Sequence, residues 1–146
     1  MKKLIFLAAL CGALFAKSLE VAQPATPSDT NASNHLELVL ILDKSGSMSG
    51  LEGDTIGGFN SMIQKQRDEN IDASVTTVLF DTKFNVIHDR TPLKKVENLT
   101  SKDYVAGGNT ALLDAVGSTI KRIERVPDIY AKNNRVLFVI ITDGQR

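Results

Sequence analysis

Three aliphatic runs constrain this chain more than any other feature. They are Leu36-Glu-Leu-Val-Leu-Ile-Leu42, Val75 to Phe80, and Val136 to Ile141. A strand with one face in water alternates polar and apolar residues. These runs barely alternate, so both faces must be covered, as in a parallel sheet flanked by helices. Lys83 to His88 alternates less cleanly and follows the turn-like Asp81-Thr82. It reads as an antiparallel strand at the sheet edge.

Helical spacing fills the intervals. Ile56, Phe59 and Ile63 share one face between Asp54 and Asp68. Leu112, Val116, Ile120 and Ile123 recur at the same period, with Lys121, Arg122, Glu124 and Arg125 around them. The order strand, helix, hairpin, helix, strand predicts an α/β fold with a mostly parallel sheet and one antiparallel edge strand. Right-handed crossovers then gather the carboxyl ends of the parallel strands on one rim.

The N-terminus is of another kind. Met1-Lys2-Lys3 precedes an apolar run from Leu4 to Phe15, and Ala16 is a small residue at a cleavage position. Residues 1–16 thus read as a signal peptide, which implies export to the periplasm or the extracellular space. The run is shorter than the roughly 20 residues of a membrane span, so none is expected after cleavage. Residues 17–35, with Pro24, Pro27 and many Ser, Thr and Asn, read as a flexible linker. The globular part is placed at 36–146. Only three residues follow Asp143, and the expected further strand and helix units are missing. The domain therefore reads as incomplete at its C-terminus, with an unpaired edge and an uncovered face on its last strand.

Composition narrows the function classes. A hydrophobic content of 42% suits a globular protein rather than a disordered one. The 17 basic residues match the 17 acidic ones, and no block of about five like charges occurs, so nothing points to nucleic acid. The single cysteine, Cys11, lies in the leader, and Leu10 before it argues against lipidation. The mature chain would hold no disulfide.

Chemistry is concentrated at the predicted rim. Asp43-Lys44-Ser45-Gly46-Ser47 follows the first long strand and offers a carboxylate and two hydroxyls at alternate positions. Gly107-Gly108-Asn109-Thr110 precedes the second helix and adds a hydroxyl. Ile141-Thr142-Asp143-Gly144 ends the last strand on the same rim. Side-chain oxygens with few carboxylates suit a hard cation, Mg²⁺ above all, with Mn²⁺ or Ca²⁺ also compatible.

Over residues 36 to 144 the chain resembles the von Willebrand factor A domain family. The matching residues are Asp43, Ser45 and Ser47, then Thr110, then Asp143. Bacterial members are the most similar, carrying segments like Asp-Lys-Ser-Gly-Ser-Met at 43–48 and Gly-Gly-Phe-Asn at 57–60. The resemblance implies a Rossmann-like three-layer α/β/α fold, here lacking its C-terminal portion. It also implies a metal-ion-dependent adhesion site at those five residues, completed by an Asp or Glu carboxylate from a protein partner.

Plainer readings exist for the same residues. Asp43 and Ser45 could cap the following helix. Asp81 reads as a turn residue before the edge strand, and Asp114 as a charge favourable near a helix N-terminus. His35 and His88 read as isolated surface or edge residues, too few for zinc. Asn31 and Asn98 begin acceptor tripeptides for glycosylation, and Asp29 precedes Asn31 by two; chance accounts for patterns this short.

The chain does not read as an enzyme. A phosphatase nucleophile at Asp43 would want a second Asp where Ser45 stands. No nucleophile elbow, phosphate-binding lysine loop or histidine beside a plausible nucleophile is apparent. The alternatives carried forward are a Mg²⁺-dependent hydrolase and an inert truncated remnant.

Overall fold

The computed structural model describes residues 5–9, for their backbone, and 34–144. The elements in chain order are β1 (Ile5–Ala9), β2 (His35–Asp43), α1 (Glu52–Asp68), β3 (Ala73–Phe80), β4 (Phe84–Pro92), α2 (Leu112–Glu124) and β5 (Asn134–Thr142). Short 3-10 turns occur at Gly46–Met48 and Leu93–Lys95. Residues 10–33, most of the segments read as leader and linker, lie outside the described residues, Asn31 among them; His35, read as the end of the linker, begins β2.

The fold is α/β, with a mostly parallel sheet in the order β1-β5-β2-β3-β4. Strand β2 runs parallel to both β3 and β5, and β4 returns antiparallel along β3. This is the predicted arrangement of the four long strands. The expected open edge on the last strand is not found: Ile5–Ala9 pairs antiparallel with β5, Ile5 opposite Thr142 and Ala9 opposite Phe138. A row of unpaired backbone donors and acceptors on β5 is thereby satisfied.

The two helices cover opposite faces of the sheet. Leu38, Leu40 and Leu42 form one buried layer with Phe59 and Ile63 of α1. Val39 and Ile41 form the other with Ala115 and Ile123 of α2. Residues 39 to 42 are wholly buried, as the sequence run demands of the central strand. Burying each such side chain stabilises the fold by about 1.5–3 kcal/mol. The buried stripe of α2 is rotated from the expected one. Ala115 and Thr119 are inside, whereas Ile120 is exposed. Small side chains at 115 and 119 let the helix approach the sheet, and the Thr119 hydroxyl is satisfied by donating to the Ala115 carbonyl at 2.6 Å.

The segment that begins with the Leu93–Lys95 turn closes the α1 side. Leu93, Val96, Leu99 and Tyr104 pack into that core. Asn60 clamps the segment in both directions, donating to the Leu99 carbonyl at 3.0 Å and accepting from its N–H at 2.8 Å. Among the described residues no helix is long and apolar enough to cross a membrane.

Candidate functional site

The parallel register brings the rim residues together. Leu42 is level with Ile141 and Asp43 with Phe80, so the ends of β2, β3 and β5 finish side by side. Asp43 is fully buried there. Its Oδ1 accepts from the Ser45 N–H at 2.8 Å, and its Oδ2 accepts from the Thr142 hydroxyl at 2.8 Å. The Tyr104 hydroxyl donates to the Asp43 carbonyl oxygen. Asp43 is thus fixed from three elements at once.

The hydroxyls form a chain toward the second carboxylate. Ser47 Oγ donates to Asp143 Oδ1 at 3.1 Å, and Ser45 Oγ lies 3.1 Å from Ser47 Oγ. A serine hydroxyl carries one proton. With that of Ser47 directed at Asp143, Ser45 is the donor between the two serines. Each acceptor therefore fixes the orientation of the hydroxyl before it.

Thr110 arrives by a separate route. The Gly107 N–H donates to the Lys44 carbonyl at 2.7 Å, and the Gly46 N–H to the Gly108 carbonyl at 2.9 Å. Asn109 and Ala111 donate to Thr82 Oγ1 and the Asp81 carbonyl, both at 3.1 Å. Gly108 has a left-handed φ of 76°, and a Cβ there would meet Thr82 Oγ1 at 3.0 Å. Glycine is required on both counts. The loop so pinned puts Thr110 on the wall of a cleft of about 1070 Å³ shared with Ser45, Ser47, Leu113, Asp114 and Thr142.

Helix capping does not account for these residues. The residue before α1 is Leu51, and no side chain caps that helix. Asp43 instead holds the loop at Ser45. Asp81, expected as a turn residue, does turn the chain: its Oδ1 accepts from the Lys83 N–H at 2.8 Å. Its Oδ2 also meets Lys44 Nζ at 2.8 Å, and that lysine holds the Asp81 carboxyl below its ordinary range. Lys44 is thereby committed away from the hydroxyl chain.

Sequence reasoning missed Thr142 and Tyr104. Both act through cross-strand or cross-loop contacts that no local motif announces. Tyr104 is pushed up to about 12, first by burial and then by the negative charges of Asp43, Glu52 and Asp143.

One expectation fails at the opposite end of the sheet. His35 is not isolated. Its Nδ1 lies 3.0 Å from Asp72 Oδ2 and its Nε2 lies 3.1 Å from Ser74 Oγ. Strand pairing places β2 and β3 in register there, with Leu36 opposite Ala73. A histidine does stand beside a serine, contrary to the sequence reading. Ser74 does not line the rim cleft. The side chain of Asp72 is 63% exposed, a poor anchor for a catalytic imidazole. The trio ties the start of β2 to β3. His88 lies on the edge strand as expected but is not isolated either: its Nδ1 lies 3.0 Å from Thr77 Oγ1, its ring stacks on Phe59 at 6.1 Å, and burial lowers its pKa.

Among the described residues no group of three or more His, Cys, Asp and Glu side chains is placed to hold a metal. The rim cluster has a different donor set: two carboxylates and hydroxyls. Such oxygen donors fit a hard cation that retains water. Comparison with protein-family models gives no match, and neither does comparison with curated proteins.

Proposed function

We propose that this chain is a cation-dependent protein-binding domain of the von Willebrand factor A type. Its site would be the rim cluster of Asp43, Ser45, Ser47, Thr110 and Asp143. The observation that carries this reading is the hydroxyl chain Ser45–Ser47–Asp143, with 3.1 Å at each step. It joins two hydroxyls of the loop after β2 to a carboxylate 96 positions away.

The residues divide the work. Ser45, Ser47 and Thr110 would present hydroxyl oxygens. Asp143 orients Ser47 by accepting its hydrogen bond, which directs the remaining lone pairs elsewhere. Asp43 positions the loop through the Ser45 N–H. Bound Mg²⁺, or Mn²⁺ or Ca²⁺, would supply a positive centre able to accept an Asp or Glu carboxylate from a protein partner. The nearby Lys44 is neutralised by Asp81, so it gives an anionic partner little attraction of its own. Binding should therefore need the cation.

A hydrolase using Asp43 is disfavoured on local grounds. Both carboxylate oxygens accept hydrogen bonds, and the residue is fully buried, which leaves little access for a substrate. Export through Met1–Ala16 belongs to the same proposal; cleavage there would remove Ile5–Ala9 and open the edge of β5.

Calorimetric titration of the full chain with MgCl₂ tests the reading. Saturable binding that Asp43→Ala abolishes is expected. No binding of Mg²⁺, Mn²⁺ or Ca²⁺ by a cooperatively folding protein would refute it.

A further inference from the structure

A second cleft, of about 590 Å³, lies between the edge strand β4 and α2, on a different part of the surface from the rim cluster. Phe84 and Val86 line it from the strand, and Val126 and Pro127 from the turn after the helix. Arg90, Lys121, Arg122 and Arg125 surround this apolar floor, with Asp89 the one acidic lining residue.

The four cations are not equivalent. Arg90 is held by the buried carboxylate of Glu37, Nε donating at 3.1 Å to Oε1. Arg122 is held by Asp89. Among the described residues, Lys121 and Arg125 form no ion pair within 4.0 Å. Lys121 lies in the last turn of α2 and Arg125 caps that helix four positions on, so like charges share one end of the cleft. Two paired arginines thus fix the walls, and two uncommitted cations face solvent beside them. Cations near a helix C-terminus also complement its dipole. That does not account for Phe84, a residue 52% exposed on the strand opposite.

We propose that this cleft is a docking site for an acidic peptide segment that carries a large apolar side chain. Charge complementarity selects the partner. A carboxylate beside Lys121 and Arg125 would pair with cations that have no acidic partner among the described residues, and an apolar side chain would cover Phe84, Val86 and Val126. Nucleic acid suits the cleft less well. Asp89 would oppose a phosphate backbone, the cationic area is small, and one aromatic ring gives no stacking series. The proposal is independent of the cation site.

The test is fluorescence anisotropy of the full chain with a labelled Glu-Glu-Phe-Glu-Glu peptide, at low and moderate salt, with EDTA present throughout. Expected is saturable binding that weakens with salt, falls at least tenfold in a Lys121→Glu, Arg125→Glu double variant, and falls severalfold in Phe84→Ser. These residues are exposed, and retained thermal unfolding would confirm the variants as folded. The proposal is overturned if the wild-type chain shows no saturable binding or if the double variant binds equally well. It is also overturned by tighter binding of a labelled oligonucleotide than of the peptide. Self-association of the chain that the double variant abolishes would equally overturn it, by assigning the cleft to a second copy. Because EDTA is present, failure here leaves the rim proposal standing, and loss of Mg²⁺ binding leaves this one standing.

Discussion

Ser47 donates its hydroxyl proton to Asp143 across 3.1 Å, joining a loop after the second strand to the end of the fifth, 96 positions away. The bond fixes where the Ser47 lone pairs point. Ser47→Ala removes one donor oxygen, and Asp143→Asn removes the charge that orients it. Each is expected to weaken Mg²⁺ binding at least tenfold, or about 1.4 kcal/mol. Calorimetry with Mg²⁺ measures this, and wild-type affinity in both variants would sink the assignment.

Gly108→Ala tests how Thr110 is placed. The left-handed backbone and the 3.0 Å approach to Thr82 both oppose a Cβ. Stability should fall by about 1–3 kcal/mol. Mg²⁺ affinity should fall as well, because the loop that presents Thr110 must shift. A thermal melt and a Mg²⁺ titration read the two effects, and an unchanged melt would contradict the strain.

Tyr104 gives a pH signature. Its folded pKa, about 12, lies above its ordinary value of 10.0. From about pH 10 upward the unfolded chain loses the proton first, so stability is complete below pH 10 and falls as pH rises toward 12. The loss should reach about 2–3 kcal/mol. Urea midpoints measured across this range should show the decline in the wild type. Tyr104→Phe should show a shallower one, from a starting stability about 1–2 kcal/mol lower because the Asp43 carbonyl loses its donor. Identical slopes would contradict the assignment.

Glu37 is 1% exposed on the central strand, where Arg90 pairs with it and His35 Nε2 lies 3.5 Å from its Oε1. Arg90→Ala would strand a buried carboxylate. The cost is expected at about 2–4 kcal/mol, below that of a fully buried pair because 41% of the Arg90 side chain is in solvent. Glu37→Leu combined with Arg90→Met should recover most of it. Urea denaturation of the single and double variants decides this, and a single variant as stable as the wild type would contradict it.

The sequence by itself determined the four long strands, the helix intervals and the antiparallel edge, but not the strand at Ile5–Ala9. Burial on both faces forces uninterrupted aliphatic runs, and one-sided burial of a helix forces a recurring period. Both signals are local and survive in a single chain. It also marked Asp43, Ser45, Ser47, Thr110 and Asp143 as oxygen donors at strand ends and a helix start. Their meeting was not legible there. Strand register sets Asp43 beside Thr142, and loop-to-loop hydrogen bonds carry Thr110 to the cleft. The same register placed His35 against Ser74 and Asp72, undoing a reading based on sequence distance. Small residues rotated the buried face of α2 away from Ile120. A pattern of apolar residues reports which side chains leave water, but not which partners they meet. That is decided only when the layers pack and every buried polar group must find its hydrogen bond.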